Sequence, residues 1–332
     1  MDIKRISCIR LIGCILLFLV LSVSAGAKET LSVLSYNIHM WESSVETLTG
    51  VIKAANPDIV GLNEAWNEKK NGEIAKALGY NIICGGQGVP GSGTKRSHCV
   101  NDYYMPQVLL TRHKIVHSKV FNAIASKKWE SKPDFDPNVP IYRGGTLAVL
   151  ETAKGNRVAV FVLHLHPWGG SDEKMTEMRL NEIKAIALQV KPYADLPVLI
   201  IGDFNTRSHL DGIRGWKVTS YLQKQGYKDL YRTVNPDPKA FPGKTAPEPE
   251  GRIDYIFCNR HVTPKSAKIL SDGVFGSRGF EDSDHLAVYG EFEIRTLEGK
   301  QDKTHASTGS LDFSIANSTN VNEWQVGGRV VH

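Results

Sequence analysis

The 332-residue chain contains few cysteines, no glycine loop of nucleotide-binding spacing and no apolar run of membrane-spanning length. Five cysteines are too few for a fold that depends on disulfides throughout. Five glycines lie in a loop at residues 85–102, but neither a GKS or GKT sequence nor a correctly placed helix follows them, which excludes a Walker or dinucleotide-binding loop. The net charge of +5 is too small to identify a partner by itself.

Residues 1–27 are predicted to form a secretory signal peptide. Three basic residues precede an apolar run at residues 11–23, and an Ala-x-Ala cleavage site ends at Ala27. The run is shorter than the roughly 20 apolar residues that a membrane-spanning helix needs; an uncleaved anchor is the alternative. Cleavage would remove a net charge of +2 and leave a mildly basic protein near +3. The expected location is therefore secreted, either extracellular or periplasmic.

Three cysteines remain after cleavage at this site. Cys84 and Cys99 flank the glycine-rich loop, and their pairing is a hypothesis that an oxidising compartment would permit. Cys258 lies in a strand-like apolar run and is expected to be free and buried.

Strand-like apolar runs alternate with amphipathic helical segments, which predicts a layered α/β fold. About 300 residues with 41% apolar content can bury the core of a single large domain. Residues 235–250 contain five prolines and are expected to form an irregular loop. Helices are predicted at 44–55, 67–78, 172–190 and 218–225, and strands at 31–39, 58–64, 80–84, 107–111, 119–121, 141–150, 157–166, 196–201, 251–258 and from 286 to 294.

Polar side chains recur where these predicted strands begin or end. The buried run at residues 196–201 is followed by Gly202-Asp-Phe-Asn205, and the sequence places Asp203 and Asn205 on one side of the sheet if the strand continues. Each such residue alone has an ordinary interpretation as a turn, a cap or a solvated side chain. Together they occupy the strand ends where α/β proteins place chemistry. They are Asn37, Glu64, His164, Asp203, Asn205, Asp254, Asp284 and His285.

In this order the segments resemble the endonuclease/exonuclease/phosphatase superfamily, which includes deoxyribonuclease I. The resemblance covers about residues 30–295 and rests on six pieces: Ser35-Tyr-Asn37, the Glu64 segment, Leu163-His-Leu165, Gly202-Asp-Phe-Asn205, Arg252-Ile-Asp-Tyr255 and Ser283-Asp-His285. It implies an α/β fold, namely a four-layer α/β sandwich with two central mixed β-sheets flanked by helices. The implied domain is residues 28–296, with a flexible C-terminal extension at 297–332.

The resemblance also implies a role for each site residue. Asn37, Glu64 and Asp284 would bind or orient Mg²⁺, with Mn²⁺ as a substitute, because hard oxygen donors suit these cations. His285 would be the general base, oriented by Asp254. The other implied catalytic residues are Asp203 and Asn205, which would orient the attacking water and a phosphate oxygen, and His164, which would donate to the phosphoryl group. Arg143 and Tyr104 are the substrate-binding candidates, and Tyr103 matches the tyrosine position equally well.

Two departures from the family pattern narrow the function. His39 occupies a position where several nucleases of the family carry an acid, and Gly251-Arg-Ile-Asp254 replaces the Trp-Cys-Asp-Arg stretch of inositol 5-phosphatases. The expected function is a secreted, metal-dependent phosphodiesterase that acts on an anionic substrate, with nucleic acid favoured. A hydrolase of phospholipid headgroups or small phosphate esters is the second hypothesis, and an inactive binding protein is the third. A monomer without a protein partner is expected.

Overall fold

The computed structural model of the protein describes residues 28–39, 44–65, 67–85, 107–126, 141–167, 173–211, 216–247, 251–270 and 283–295, together with residues 324–326 and 329–331. The chain divides into two compact units, Met1–Thr296 and Leu297–His332. No helix within the described residues is long and apolar enough to cross a membrane. The predicted signal peptide lies outside these residues and stays a prediction.

The first unit contains twelve described strands and five α-helices. The strands are β1 (Lys28–Asn37), β2 (Ile59–Asn63), β3 (Asn81–Gly85), β4 (Gln107–Thr111), β5 (Lys114–Ser126), β6 (Ile141–Glu151), β7 (Arg157–His164), β8 (Val198–Asp203), β9 (Lys228–Asp229), β10 (Asp254–Cys258), β11 (Val262–Leu270) and β12 (Ala287–Arg295). The helices are α1 (Val45–Ala55), α2 (Glu68–Leu78), α3 (Glu173–Val190), α4 (Trp216–Lys224) and α5 (Leu230–Val234). Short 3₁₀ turns occupy Lys191–Tyr193 and His209–Asp211.

The strands form two mixed sheets of six. The first sheet has the order β11-β12-β1-β2-β4-β3, and the second has the order β5-β6-β7-β8-β10-β9. Each sheet contains one parallel pair among the pairings described, β1 with β2 in the first sheet and β7 with β8 in the second. The carboxyl ends of these two parallel pairs carry the polar residues singled out by the sequence.

Three apolar layers define the sandwich. The central layer lies between the two sheets and includes Val33, Ile59, Val160 and Ile201. One outer layer packs α1 and α2 on the first sheet, and the other packs α3 and α4 on the second. The order of layers is therefore helix, sheet, sheet, helix, which confirms the predicted four-layer fold.

The helix boundaries follow from capping residues visible in the sequence. Ser44 precedes α1 and its hydroxyl accepts the N–H of Thr47 at 3.1 Å, while Asn67 precedes α2 and accepts the N–H of Lys70 at 3.0 Å. These side chains satisfy amide groups that the first turn of a helix leaves unpaired. Both predicted helices are confirmed to within one residue.

Several predicted boundaries were wrong. Strand β11 was not predicted, because its alternating residues are polar and Pro264 lies at a bulge in its pairing with β12. Strand β8 spans Val198–Asp203, against the predicted 196–201, and the continuation to Asn205 that would place it on the same side as Asp203 does not occur. Asp254 begins β10 instead of lying inside it. The short helix α5 was also missed, since five residues carry too little periodicity to detect.

The described cysteines differ in state. Cys84 is disulfide-bonded, whereas Cys258 is free and buried, as predicted. Burial raises the pKa of the Cys258 thiol to about 12, which keeps it protonated. Cys99 lies outside the described residues, so its pairing with Cys84 stays a prediction.

The second unit contains one described antiparallel pair, β13 (Trp324–Val326) with β14 (Arg329–Val331). In this pair Gln325 lies opposite Val330. The predicted flexibility of residues 297–332 is not tested by these six residues.

Gly202 is required by geometry at the end of β8. Its φ is +135°, and a Cβ there would lie 1.9 Å from the carbonyl oxygen of Leu163. We expect Gly202→Ala to lower the free energy of unfolding by about 3 kcal/mol or more, because the backbone must move to relieve both strain and overlap. Gly50→Ala in α1 is the control, since an added Cβ meets no atom within 4 Å, and should stabilise by up to about 1 kcal/mol. Urea denaturation followed by circular dichroism measures both, and equal stability of Gly202→Ala and wild type would contradict the assignment.

Candidate active site

The candidate active site lies where strand ends from both sheets meet. Asn37 ends β1, and Glu64 follows β2. His164 ends β7 and pairs in register with Asp203, which ends the parallel strand β8. Asp254 begins the antiparallel strand β10 directly opposite Asp203. The antiparallel pairing of β12 with β1 brings the segment before β12, which carries Asp284 and His285, to the same end.

The closest pair in the site joins His285 to Asp254. Nδ1 of His285 lies 2.7 Å from Oδ2 of Asp254, and both side chains are buried. The hydroxyl of Ser283 accepts the N–H of His285 at 3.0 Å and donates to the carbonyl of Asn37 at 2.7 Å. The hydroxyl of Thr245 accepts the N–H of Asp254 at 3.1 Å. The imidazole is therefore fixed through one nitrogen, and Nε2 is left for chemistry.

The free nitrogen of His285 faces two carboxylates. Nε2 lies 3.8 Å from Oδ2 of Asp203 and 3.9 Å from Oδ1 of Asp284. Burial opposes a charge on the imidazole, but Asp254 and Asp203 outweigh it and raise the pKa of His285 to about 10. The histidine is thus a strong proton acceptor once it is neutral.

Asp203 is the central residue of the site. Its carboxylate accepts the Nδ2 of Asn37 at 3.0 Å and the N–H of Asn205 at 2.8 Å, and Nε2 of His164 lies 3.4 Å from it. Burial and the neighbouring carboxylate of Asp254 raise the pKa of Asp203 to about 7. A buried carboxylate with this pKa needs a nearby positive charge or donor to remain ionised.

Glu64 and Asp284 form the more open side of the site. Nδ2 of Asn37 donates to Oε1 of Glu64 at 3.1 Å, and burial raises the pKa of that carboxyl. Asp284 is about half exposed, and its Oδ1 lies 3.8 Å from Nδ1 of His39. The main-chain N–H of His39 donates to Oδ1 of Asn37 at 3.1 Å.

This donor set fits a divalent cation. The carboxylates of Glu64 and Asp203 both accept from Nδ2 of Asn37, and burial already raises the pKa of both. Asp284 adds a third carboxylate, 3.9 Å from Nε2 of His285. Such a surplus of hard oxygen donors is what Mg²⁺ and Mn²⁺ bind. Ligand atoms of Asp203, Asp254 and His285 also lie within 4.8 Å of one another. Asp254 and His285 already bind each other at 2.7 Å, so the residues that could hold a cation are those on the Asn37 and Glu64 side.

The backbone is strained at three site residues. His39, Glu64 and Asn205 have φ values of +43°, +57° and +48°. Only one other non-glycine residue in the described part of the chain, the helix cap Asn56, has a positive φ. Such strain concentrates at functional sites, where surrounding contacts hold it.

The segment after β7 is held by buried polar contacts that the sequence did not reveal. The N–H of His166 donates to Glu182 at 2.9 Å, and its carbonyl accepts Nη1 of Arg179 at 3.1 Å. Nδ2 of Asn205 donates to the carbonyl of Leu165 at 3.0 Å. His166 is buried. The side-chain nitrogen Nδ2 of Asn205 therefore binds the main chain, and its side-chain oxygen Oδ1 is the group left for a substrate or water.

The structure brings together eight of the site residues singled out by the sequence: Asn37, Glu64, His164, Asp203, Asn205, Asp254, Asp284 and His285. Arg143 lies on β6 opposite Ile124, but its side chain and Tyr104 fall outside what the structure describes. Their substrate-binding roles stay predictions. Four residues that support the site were missed, and these are Asn63, Thr245, Ser283 and Glu182.

Replacing Asp254 with asparagine should lower kcat by about 100-fold or more and move the pH profile. In the wild type a base with a pKa near 10 must lose its proton, so kcat/KM should rise as the pH increases through the neutral and alkaline range. Asp254→Asn removes the carboxylate that contributes most to raising the pKa of His285, so the rise in kcat/KM should shift to lower pH. Steady-state kinetics between pH 5 and 10 test this, and an unshifted profile with unchanged kcat would exclude Asp254 as the partner of the base.

The fold and the site together define a hydrolase of phosphate esters. A histidine–aspartate pair, a second buried carboxylate and a cation-binding donor set meet the needs of this chemistry, which requires charge neutralisation, a positioned water and a proton acceptor.

A model of the Endonuclease/Exonuclease/phosphatase family matches residues 34–285, and the chain belongs to this family. An uncharacterised protein of Caenorhabditis elegans is 24% identical over 331 residues, spanning 82% of this chain and 94% of the worm protein. D. rerio TDP2, solved with a single-strand DNA product, has 20% identity and a TM-score of 0.55, and the match covers 80% of this chain and 99% of TDP2. A mannosyl-6-phosphatase of Bacteroides thetaiotaomicron has 18% identity and a TM-score of 0.55, covering 79% and 99%. The two solved structures are similar to this chain in fold.

Proposed function

We propose that the protein is a secreted, metal-dependent phosphodiesterase that cleaves nucleic acid by in-line attack of a water molecule. The observation that carries this proposal is the meeting of the His285–Asp254 pair with Asp203 at one end of the sandwich. Nε2 of His285 and Oδ2 of Asp203 are 3.8 Å apart, so one water can hydrogen-bond to both. His285 would take the proton of that water as it attacks phosphorus, and Asp254 would stabilise the resulting imidazolium.

The remaining residues would act on the phosphoryl group. A hydrogen bond from the buried His164, whose Nε2 lies 3.4 Å from Asp203, would stabilise charge on a phosphoryl oxygen. Asn205 would present its carbonyl oxygen to the attacking water, since its amide nitrogen is engaged. Asn37 and Glu64, with Asp284 at the open side, would hold the divalent cation. When bound, the cation neutralises the negative charge of the phosphodiester.

Nucleic acid is the favoured substrate because the site is open on one side and the chain is mildly basic. Asp284 is about half exposed, so a polymer backbone can reach the site from solvent. The predicted mature charge near +3 is compatible with a polyanion. The likeness to TDP2, which was solved with a DNA product, supports the same choice.

Hydrolysis of small phosphate esters is the second candidate. The fold is also similar to that of a mannosyl-6-phosphatase, with 79% of this chain and 99% of that protein matched. Nothing in the described part of the site restricts the ester to a diester. Hydrolysis of phospholipid headgroups is the third candidate, and the sphingomyelin vesicles in the substrate panel below test it.

Secretion is supported by the N-terminal sequence and by Cys84. The first 27 residues carry the charge, apolar run and cleavage site of a signal peptide. Cys84 is disulfide-bonded, and such bonds persist in oxidising compartments. Mass spectrometry of the protein exported by a host cell would test both: a mature chain beginning at Lys28 is expected, and an intact residue 1–27 segment would contradict secretion with cleavage.

A substrate panel tests the proposed activity. Purified mature protein is incubated with plasmid DNA, RNA, sphingomyelin vesicles, bis-p-nitrophenyl phosphate and p-nitrophenyl phosphate, each with Mg²⁺, Mn²⁺ or EDTA. We expect nicking of the plasmid and cleavage of the diester with either cation, no activity in EDTA, and DNA cleavage that falls steeply with added salt.

Each other outcome selects a different conclusion. Cleavage of the monoester alone would make the protein a phosphatase, and cleavage of vesicles alone would make it a phospholipid hydrolase. If the wild type hydrolyses no substrate faster than an Asp203→Ala variant does with either cation, the result would favour the inactive binding protein and overturn the proposal.

A further inference from the structure

Asn63 links four strands at the catalytic end of the sandwich. It is the last residue of β2 and is fully buried. Its Nδ2 donates to the carbonyl of Leu163 at 2.8 Å, and its Oδ1 accepts the N–H of Asp203 at 3.0 Å. Its own carbonyl accepts the N–H of Ile38, just beyond β1, at 3.1 Å. One side chain of the first sheet therefore holds the ends of β7 and β8 in the second.

Most of the central layer between the sheets is apolar, with residues such as Val33, Val160 and Ile201. The polar contacts that cross it include those of Asn63, the bond from Asn37 to Asp203 at the same end, and the bond from the hydroxyl of Thr146 on β6 to the carbonyl of Gln107 on β4 at 2.8 Å. Apolar packing is non-directional, whereas a hydrogen bond fixes both distance and angle. The amide of Asn63, together with the bond from Asn37 to Asp203 at 3.0 Å, therefore holds the two sheets in a defined position at the catalytic end.

The backbone of β8 is shaped to meet this amide. Gly202 has a φ of +135°, and a Cβ there would lie 3.1 Å from Oδ1 of Asn63 and 1.9 Å from the carbonyl oxygen of Leu163. Only glycine at position 202 therefore allows β8 to come close enough for the N–H of Asp203 to reach Oδ1 of Asn63.

We propose that Asn63 is a positioning residue for phosphodiester hydrolysis, which fixes the carboxylate of Asp203 in the second sheet against Glu64 and Asn37 in the first. The inference rests on the proposed function, because it concerns the same site. Asn63 acts through the main chain of Asp203 and does not touch the substrate. A displacement of about 1 Å in a reacting group can cost roughly 100-fold in rate.

The chain supplies a matched control at the opposite end of β8. Asn259 follows β10 and is buried, and its Oδ1 accepts the N–H of Val198, the first residue of β8, at 3.2 Å. Its Nδ2 donates to the carbonyl of Leu196 at 2.8 Å. Five residues of extended chain separate the two contacts, a distance of about 16 Å. Asn259 therefore has the same kind of hydrogen bonds to the same strand, away from the site.

The test compares Asn63→Leu and Asn63→Ser with Asn259→Leu and Asn259→Ser. Leucine has a branched outline like that of asparagine but is larger and cannot hydrogen-bond, and the smaller serine leaves space for a water if leucine prevents folding. We expect the thermal midpoints of the Asn259 variants to fall at least as far as those of the Asn63 variants. Asn63 loses two buried side-chain hydrogen bonds, and Asn259 loses two buried ones together with those to the carbonyl of Ala194 and from the N–H of His261. With bis-p-nitrophenyl phosphate the Asn63 variants should lose about 100-fold in kcat, with KM within about threefold, whereas the Asn259 variants should keep kcat within about twofold.

Hydrogen exchange supplies a readout that does not depend on activity. The peptide covering residues 200–206 should exchange faster in the Asn63 variants than in the Asn259 variants, because the amide of Asp203 loses its acceptor. If the wild type hydrolyses none of the esters, the proposed function fails while this measurement still decides whether Asn63 holds Asp203.

Three results would overturn the inference about Asn63. The first is a kcat in the Asn63 variants within threefold of the wild type, and the second is an equal loss of kcat in the Asn259 variants. The third is failure of both Asn63 variants to fold, which would assign the residue to the stability of the fold alone.

Discussion

Replacing His285 with alanine is expected to lower kcat by about three to four orders of magnitude while leaving the protein folded. The imidazole lies beside Asp203, and its 2.7 Å contact with Asp254 fixes its orientation. General base catalysis contributes typically 10²–10⁴-fold, and loss of the cationic form after proton transfer adds to the effect. Turnover of bis-p-nitrophenyl phosphate with saturating Mn²⁺ or Mg²⁺ measures it.

His261→Ala is the matched control for this variant. His261 follows β10 at the end of the sheet away from the site, and its N–H donates to Asn259 at 3.1 Å. Burial lowers the pKa of His261, whereas that of His285 is raised. We expect His261→Ala to keep kcat within about twofold. A loss below tenfold in His285→Ala would refute the assignment of the general base.

Replacing Asp203 with asparagine should also remove about three orders of magnitude from kcat, because the amide cannot accept from the water and from Asn37 as a carboxylate does. The substitution keeps the volume, so the fold should persist. The same variant has a second expected effect, on the pH dependence of stability in the absence of a cation.

The sign of this pH effect follows from the raised pKa of Asp203. Burial favours the protonated form, with a pKa of about 7 in the folded protein against an ordinary value of 3.8. The free energy of unfolding of the wild type should therefore fall as the pH rises between these two values. His285 adds a further fall between its ordinary pKa of 6.5 and about 10, because its stabilising charge is lost there.

Asp203→Asn should lack the first of these two decreases. In EDTA, the free energy of unfolding of the variant relative to the wild type should rise between pH 4 and pH 7, as measured by urea denaturation. Asp195→Asn is the control, since that carboxylate is fully exposed, and its curve should parallel the wild type. Parallel curves for Asp203→Asn and wild type would show that Asp203 ionises freely in the folded protein.

The local pattern of the sequence was sufficient to predict a layered α/β fold and the region of the site. The four-layer arrangement with two sheets was implied by the family resemblance. Buried runs with a polar residue at one end predicted that Asn37, Glu64 and Asp203 would lie at strand ends, and parallel strands place those ends together. The predicted partner of His285 followed from the resemblance, and the structure places Asp254 at 2.7 Å.

The supporting residues could not be predicted, since their roles depend on contacts between distant segments. Asn63 lies within a short apolar run, and nothing local distinguishes a buried amide that binds another sheet from an ordinary strand residue. Ser283 contacts the carbonyl of Asn37 across 246 positions of sequence. The engaged nitrogen of Asn205 depends on the end of β8 at Asp203, whereas the placement of Asp203 and Asn205 on one side of the sheet assumed that the strand continues.

The positive φ values at His39, Glu64 and Asn205 have a consequence for variants selected only for heat resistance. Glycine adopts this backbone region without steric penalty, so relief of strain favours it at all three positions. Each such exchange would delete a side chain of the candidate active site. Selection for resistance to heat alone should therefore favour variants that are more stable and have no activity. Selection for activity at the same time would prevent this outcome.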